Sequence, residues 1–163
     1  HPRWILNLGV AGAGEAGVSI GDMVVASCTV QHDMDTSPIG DPVGYVSKIG
    51  LVEIPWDPGL REKLLAAAAN VNSNRGQYGR LTFFAHCRRQ RIHHRFQAKA
   101  VEMEGAAVAH ACYMHGVPCG VIRSISDQAN GASTMDYPSF VRLAAANSEQ
   151  VVEHLLREEE AHG

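Results

Sequence analysis

Four residues in this chain have the types and spacing to do chemistry: Glu102 and Glu104, alternate positions in Ala100-Val101-Glu102-Met103-Glu104-Gly105, and the adjacent Ser126 and Asp127. An ionised carboxylate accepts hydrogen bonds at both of its oxygens. A carboxyl partly buried beside apolar neighbours such as Ile125 and Ala129 keeps its proton to higher pH, which suits Asp127 to general-acid work. Ser126 has the hydroxyl to orient that carboxyl. The same residues have a plainer use. Acids at strand ends commonly cap the next helix, and Glu104 sits where a first-turn acid would face a helix dipole. Spacing alone therefore gives a candidate site of acid and acceptor groups and no particular reaction.

These groups need a frame. Ala100 to Glu102 reads as a short strand, Ala106 to His115 as an Ala-rich helix, and Cys119 to Ser126 as a buried strand. Gly116 and Pro118 end the helix, since Gly accepts a left-handed cap and Pro cannot continue. Strand, helix and strand in one short run make a βαβ unit. Ligands of open parallel sheets bind at the carboxyl ends of strands, which would set Glu102, Glu104, Ser126 and Asp127 along one rim. Upstream, Trp4 to Leu8 reads as a strand leading into a glycine-rich loop, Gly9-Val10-Ala11-Gly12-Ala13-Gly14. Gly12, Gly14 and Gly17 fit G-x-G-x-x-G, but the dinucleotide fingerprint needs a helix straight after its glycines. Another strand pattern, Met23 to Val30, follows instead. The glycines are read as letting the backbone approach a small ligand.

Pro38 to Pro58 forms a loop-rich excursion. A helix starts at Asp57 or Pro58 with Leu60, Leu64, Leu65 and Ala68 on one face. Tyr137 to His162 reads as a long amphipathic helix. Phe140, Leu143, Ala144, Val151, Val152, Leu155 and Leu156 make its apolar stripe, and Glu158 to Glu160 its solvated end. His32, Asp33 and Asp35 have no second cluster at ligand spacing, so no metal is expected.

Composition narrows the classes. At 163 residues the chain is expected to be a single domain, 1–163, long enough to bury a core. Its 45% hydrophobic and 19% charged residues are ordinary for a soluble globular protein. A net charge of -3 gives no electrostatic footprint for nucleic acid or an anionic membrane. Cys28, Cys87, Cys112 and Cys119 make no Cys-x-x-Cys pair, and no apolar run approaches a membrane span. A reduced, cytoplasmic compartment is expected.

Four segments carry a family resemblance. Val101-Glu102-Met103-Glu104-Gly105-Ala106-Ala107, Val121-Ile122-Arg123-Ser124-Ile125-Ser126-Asp127, Asn7-Leu8-Gly9-Val10-Ala11-Gly12 and Val30-Gln31-His32-Asp33-Met34-Asp35 resemble, in the family's order, signature segments of the 5'-methylthioadenosine/S-adenosylhomocysteine nucleosidases. The resemblance implies a three-layer α/β fold of the nucleoside phosphorylase type with a mixed central sheet, incomplete at its N-terminus. It implies hydrolysis of the N-ribosidic bond of methylthioadenosine and S-adenosylhomocysteine, with release of adenine and no metal or organic cofactor. It makes Asp127 the acid that protonates the purine and Glu104 the acceptor for both ribose hydroxyls. Met103 packs on the sugar, Glu102 ties the local backbone, and Val10, Ala11 and Gly12 lie along ribose and purine. Ser126 and Ala129 belong to the same site, and Tyr137 covers the alkylthio group in a homodimer. His32 and its acidic neighbours fall near the subunit interface.

The resemblance also marks two gaps. The family's water-activating glutamate would lie upstream of His1, and its purine-contact motif is unrecognisable between Gly79 and Gln97. That stretch crowds Arg80, His86, Arg88, Arg89, Arg91, His93, His94 and Arg95 around Cys87, and reads as a compensated frameshift in the gene or in its sequencing. Reading the nucleotides in the other frames tests this, and absence of the motif in every frame would sink it. Two rivals follow: a purine nucleoside phosphorylase that uses phosphate, and an inactive fragment of the nucleosidase family.

Overall fold

The computed structural model describes residues 1–14, 17–71, 76–83, 94–127 and 136–161, with 76–83 described by backbone alone. Strand β1 (Ile5–Ala13) and strand β2 (Met23–Val30) are followed by a short 3-10 turn (Ser37–Ile39), strand β3 (Ile54–Pro55) and helix α1 (Pro58–Val71). Strand β4 (Gly76–Phe83), strand β5 (Ala100–Glu102), helix α2 (Gly105–His115), strand β6 (Cys119–Asp127) and helix α3 (Tyr137–Ala161) complete the order. The sheet is mixed, in the order β3-β2-β4-β5-β1-β6, and it curls until β6 also pairs with β2. Helices cover both faces. Helix α2 places Ala109 and Cys112 in a cluster with Ala11, Val24, Val121 and Ile125. On the other face α1 and α3 bring Leu60, Leu64, Val151 and Leu155 against Met23, Val25 and Ile122. This is the expected three-layer α/β arrangement.

Local signals explain the helices. Pro58 opens α1 at a position that needs no N–H, and Asp57 Oδ1 accepts the Leu60 N–H at 2.7 Å. Gly116 ends α2 in the left-handed region (φ 63°), and the Val117 N–H reaches back to the Cys112 carbonyl at 3.0 Å.

The strands depart from expectation in two places. Gly9 to Ala13 is not a loop; it continues β1, whose Ile5 to Ala11 pair in parallel register with Cys119 to Ile125. A bulge between Ala11 and Gly12 then sets Gly12 against Asp127. Ladder bonds from β6 outweigh the local preference of two glycines. Gly14 sits so close to the start of β5 that a Cβ there would lie 2.1 Å from the Ala98 carbonyl oxygen. The second departure concerns β5 and β6, which are not neighbours in a parallel βαβ unit. Strand β1 lies between them, antiparallel to β5 and parallel to β6.

Two surface assignments also change. Leu143 and Leu156 are each 45% exposed, so the buried stripe of α3 is Phe140, Ala144, Val151 and Leu155. Glu159 is not solvated: its side chain, 10% exposed, is clasped between Arg3 at 2.6 Å and Lys63.

Candidate active site

Because β5 runs against β1, the chain leaving β5 walks back along β1 instead of stopping at a common rim. Glu102 and Glu104 therefore come to rest beside Arg123 in mid-β6, while Ser126 and Asp127 stay at the strand's carboxyl end. The four do not form one rim. A cleft of about 490 Å³ joins three of them, floored by β1 from Asn7 to Gly12 and walled by Val101, Glu102, Met103, Glu104, Arg123 and Ser126, and Asp127 reaches it through Ser126.

The two acids of β5 do different work. Glu102 is buried, and its carboxylate accepts the N–H of Glu104 at 2.9 Å and of Gly105 at 2.8 Å. It thus occupies the first turn of α2, where N–H groups lack helical partners and the dipole favours an anion. Arg123 Nη2 donates to the same carboxylate at 2.6 Å. The capping role that spacing offered to Glu104 belongs to Glu102. Glu104 stands at the N-cap position but makes no capping bond with its side chain. That side chain is 65% exposed, with Arg123 Nη2 at 3.6 Å.

Across the cleft, Ser126 Oγ lies 3.0 Å from Asp127 Oδ1 and 3.2 Å from the Ala11 carbonyl oxygen. Its single proton can serve either acceptor, and the Asp127 bond is the one that would fix a carboxyl's orientation. Met103 is 57% exposed on the cleft wall, so it is not core. Val10, Ala11 and Gly12 line the floor. Ala129 lies outside the described residues. Tyr137 is the first residue of α3, and its side chain lies outside them too.

Sequence reasoning passed over Asn7, Leu8 and Gly9 as cleft residues, and it gave Arg123 no role beyond its place in a matching segment. Arg123 is the fifth residue of the nine in β6, 1% exposed. One signal was available: a lone arginine inside an apolar strand must have a buried carboxylate partner. Gly9 makes room for it, since a Cβ there would come 2.6 Å from Arg123 Nη1. Among the described residues no group of three or more His, Cys, Asp or Glu is placed to hold a metal ion, and no helix is long and apolar enough to cross a membrane.

Such a cleft has the Glu104 carboxylate at one side and, at the other, the Ser126 hydroxyl that bonds Asp127. Known proteins share its frame. The profile of the Phosphorylase superfamily matches residues 1–157. An aminodeoxyfutalosine nucleosidase of Helicobacter pylori is 33% identical over 157 residues, covering 94% of this chain and 68% of that protein. A 5'-methylthioadenosine/S-adenosylhomocysteine nucleosidase of Staphylococcus haemolyticus is 33% identical over 162 residues, covering 96% and 71%. Among solved structures, the nucleosidase of Campylobacter jejuni superposes with a TM-score of 0.84 at 30% identity, over 93% of this chain and 68% of that one. A Helicobacter pylori nucleosidase mutant, solved with 5'-methylthioadenosine in its active site, superposes with a TM-score of 0.82 at 32% identity, over 96% and 69%. Profile, relatives and fold agree: the chain belongs to the phosphorylase superfamily, among its N-glycosyl hydrolases.

Proposed function

We propose that this chain, as one domain over residues 1–163, hydrolyses the N-ribosidic bond of 5'-methylthioadenosine and S-adenosylhomocysteine and releases adenine. One observation supports the reading above others. Glu104 and Met103 share a cleft with Ser126, whose hydroxyl bonds Asp127, over the backbone of Val10, Ala11 and Gly12. In this scheme Glu104 accepts the two ribose hydroxyls and Met103 covers the sugar. Asp127, oriented by Ser126, protonates a purine ring nitrogen so that adenine leaves neutral. Carboxylate charge near the ribose favours the oxocarbenium character that develops at the sugar carbon. Water supplies the oxygen of the free sugar. Glu102 ties the local backbone, while Ala129 and Tyr137 complete the pocket, Tyr137 over the alkylthio group in a homodimer. No metal or organic cofactor enters the scheme.

Adenine release from methylthioadenosine by the purified chain, with and without phosphate, tests this reading. Release that needs no phosphate, and that falls by roughly a hundredfold or more in Asp127→Asn, is the expected result. Release only with phosphate would make the reaction a phosphorolysis. No release from a folded sample would mean that the inactive-fragment reading holds. Since relatives bear names for different nucleosides, S-adenosylhomocysteine and aminodeoxyfutalosine belong in the same assay.

A further inference from the structure

Recognition of the sugar, on the reading above, depends on where Glu104 holds its carboxylate. Glu104 has little of its own to hold it: an exposed side chain, no capping bond, and a non-helical backbone (φ -126°, ψ -32°). Its neighbour is the reverse. Glu102 has its side chain only 1% exposed, takes both N–H groups that flank the Glu104 carbonyl, and is anchored by Arg123 at 2.6 Å.

We infer that Glu102 and Arg123 are positioning residues, which set the Glu104 carboxylate for a ligand's vicinal hydroxyls without touching the ligand's diol themselves. Two restraints act together. Glu102 fixes the Glu104 main chain by binding the amides on either side of it. Arg123 Nη2, committed to Glu102 at 2.6 Å, lies 3.6 Å from Glu104 Oε2. At that separation it steers the carboxylate by charge without consuming its acceptor sites. Arg123 cannot follow Glu104 when a diol arrives. It is packed across Gly9, and its short bond to Glu102 stays made. The support is rigid while the clamp is free to bind, which preorganises the acceptor at low cost on binding.

The experiment compares two ligands, 5'-methylthioadenosine and its 2',3'-dideoxy counterpart, by calorimetric titration in an Asp127→Asn background that prevents turnover. Charge-assisted bonds to two hydroxyls should give the hydroxylated nucleoside roughly a hundredfold preference. Adding Glu102→Gln or Arg123→Met should reduce that preference to roughly tenfold or less. Binding of the dideoxy counterpart should stay within about twofold, which also shows the variant is folded. Arg123→Lys keeps a charged donor for Glu102 and should recover part of the preference. Equal losses for both ligands would make the pair a merely structural one and overturn the inference, as would no loss at all. If the Asp127→Asn protein binds neither ligand, the functional reading itself fails. Amide exchange at Glu104 and Gly105 in the ligand-free Glu102→Gln protein is then decisive for the positioning claim: acceleration supports it, and unchanged exchange overturns it.

Discussion

A guanidinium buried inside a sheet is costly unless its partners are in place, and Arg123 has one short ion pair, one long one, and a glycine beneath it. Gly9 is therefore a steric requirement more than a turn signal. Gly9→Ala should destabilise the protein by about 1–3 kcal/mol in urea unfolding. An unchanged midpoint would show that Arg123 can swing aside. Cys119, at the other end of β6, gives a second residue-scale expectation. Burial, with Cys112 beside it, pushes its thiol from 9.0 up to about 12. A neutral thiol is a poor nucleophile, so alkylation of Cys119 in the native protein should stay negligible at pH 8 and appear on unfolding. The sign for stability follows. Between about pH 9 and 12 the folded thiol keeps a proton that the unfolded one has lost. Cys119 thus stabilises the fold below that window and ceases to do so as pH rises through it. Unfolding midpoints measured from pH 8 to 11 should fall; a flat profile would contradict the shift.

Elements were legible wherever their signals are local. Asp57 and Pro58 announce α1, Gly116 and Pro118 close α2, and the apolar spacing of α3 locates Phe140, Ala144, Val151 and Leu155, while wrongly adding the exposed Leu143 and Leu156. Asp57→Ala should cost about 1 kcal/mol in thermal unfolding, because Leu60 loses its side-chain acceptor. What could not be read was any feature set by a distant partner. Gly9 to Ala13 looks like a loop until β6 is laid beside it, and β5 looks parallel to β6 until β1 comes between them. Glu158 to Glu160 looks like a solvated end until Arg3 and Lys63, from the far part of the chain, close on Glu159. Removing that charge in Glu159→Gln should lower stability by about 1 kcal/mol or less, since Arg3 and Lys63 are themselves exposed. Raised salt should shrink the difference. The candidate site shows the same division. Its acids stood out by type, and the resemblance set Glu102 on the backbone; spacing alone offered that role to Glu104, because the antiparallel turn of β5 leaves no mark in it.

At the scale of the molecule, the sheet is a closed curl in which β6 pairs with β1 on one side and with β2 on the other. Both partners lie roughly a hundred positions earlier in the chain, so loop closure precedes any gain from pairing, and refolding should be slow for the size. The closing strand is also the one that carries Arg123, Ser126 and Asp127. This fixes the order of events during synthesis. Until β6 has left the ribosome, β1 lacks its long ladder, Glu102 lacks its counter-ion and the cleft lacks a wall. Assembly of the sheet and assembly of the site are then a single late step, and a nascent or clipped chain ending before Cys119 should have no cleft even in rudiment. Quality control of this fold is in effect an assay of its chemistry: a copy that fails to close its ring fails to make its site.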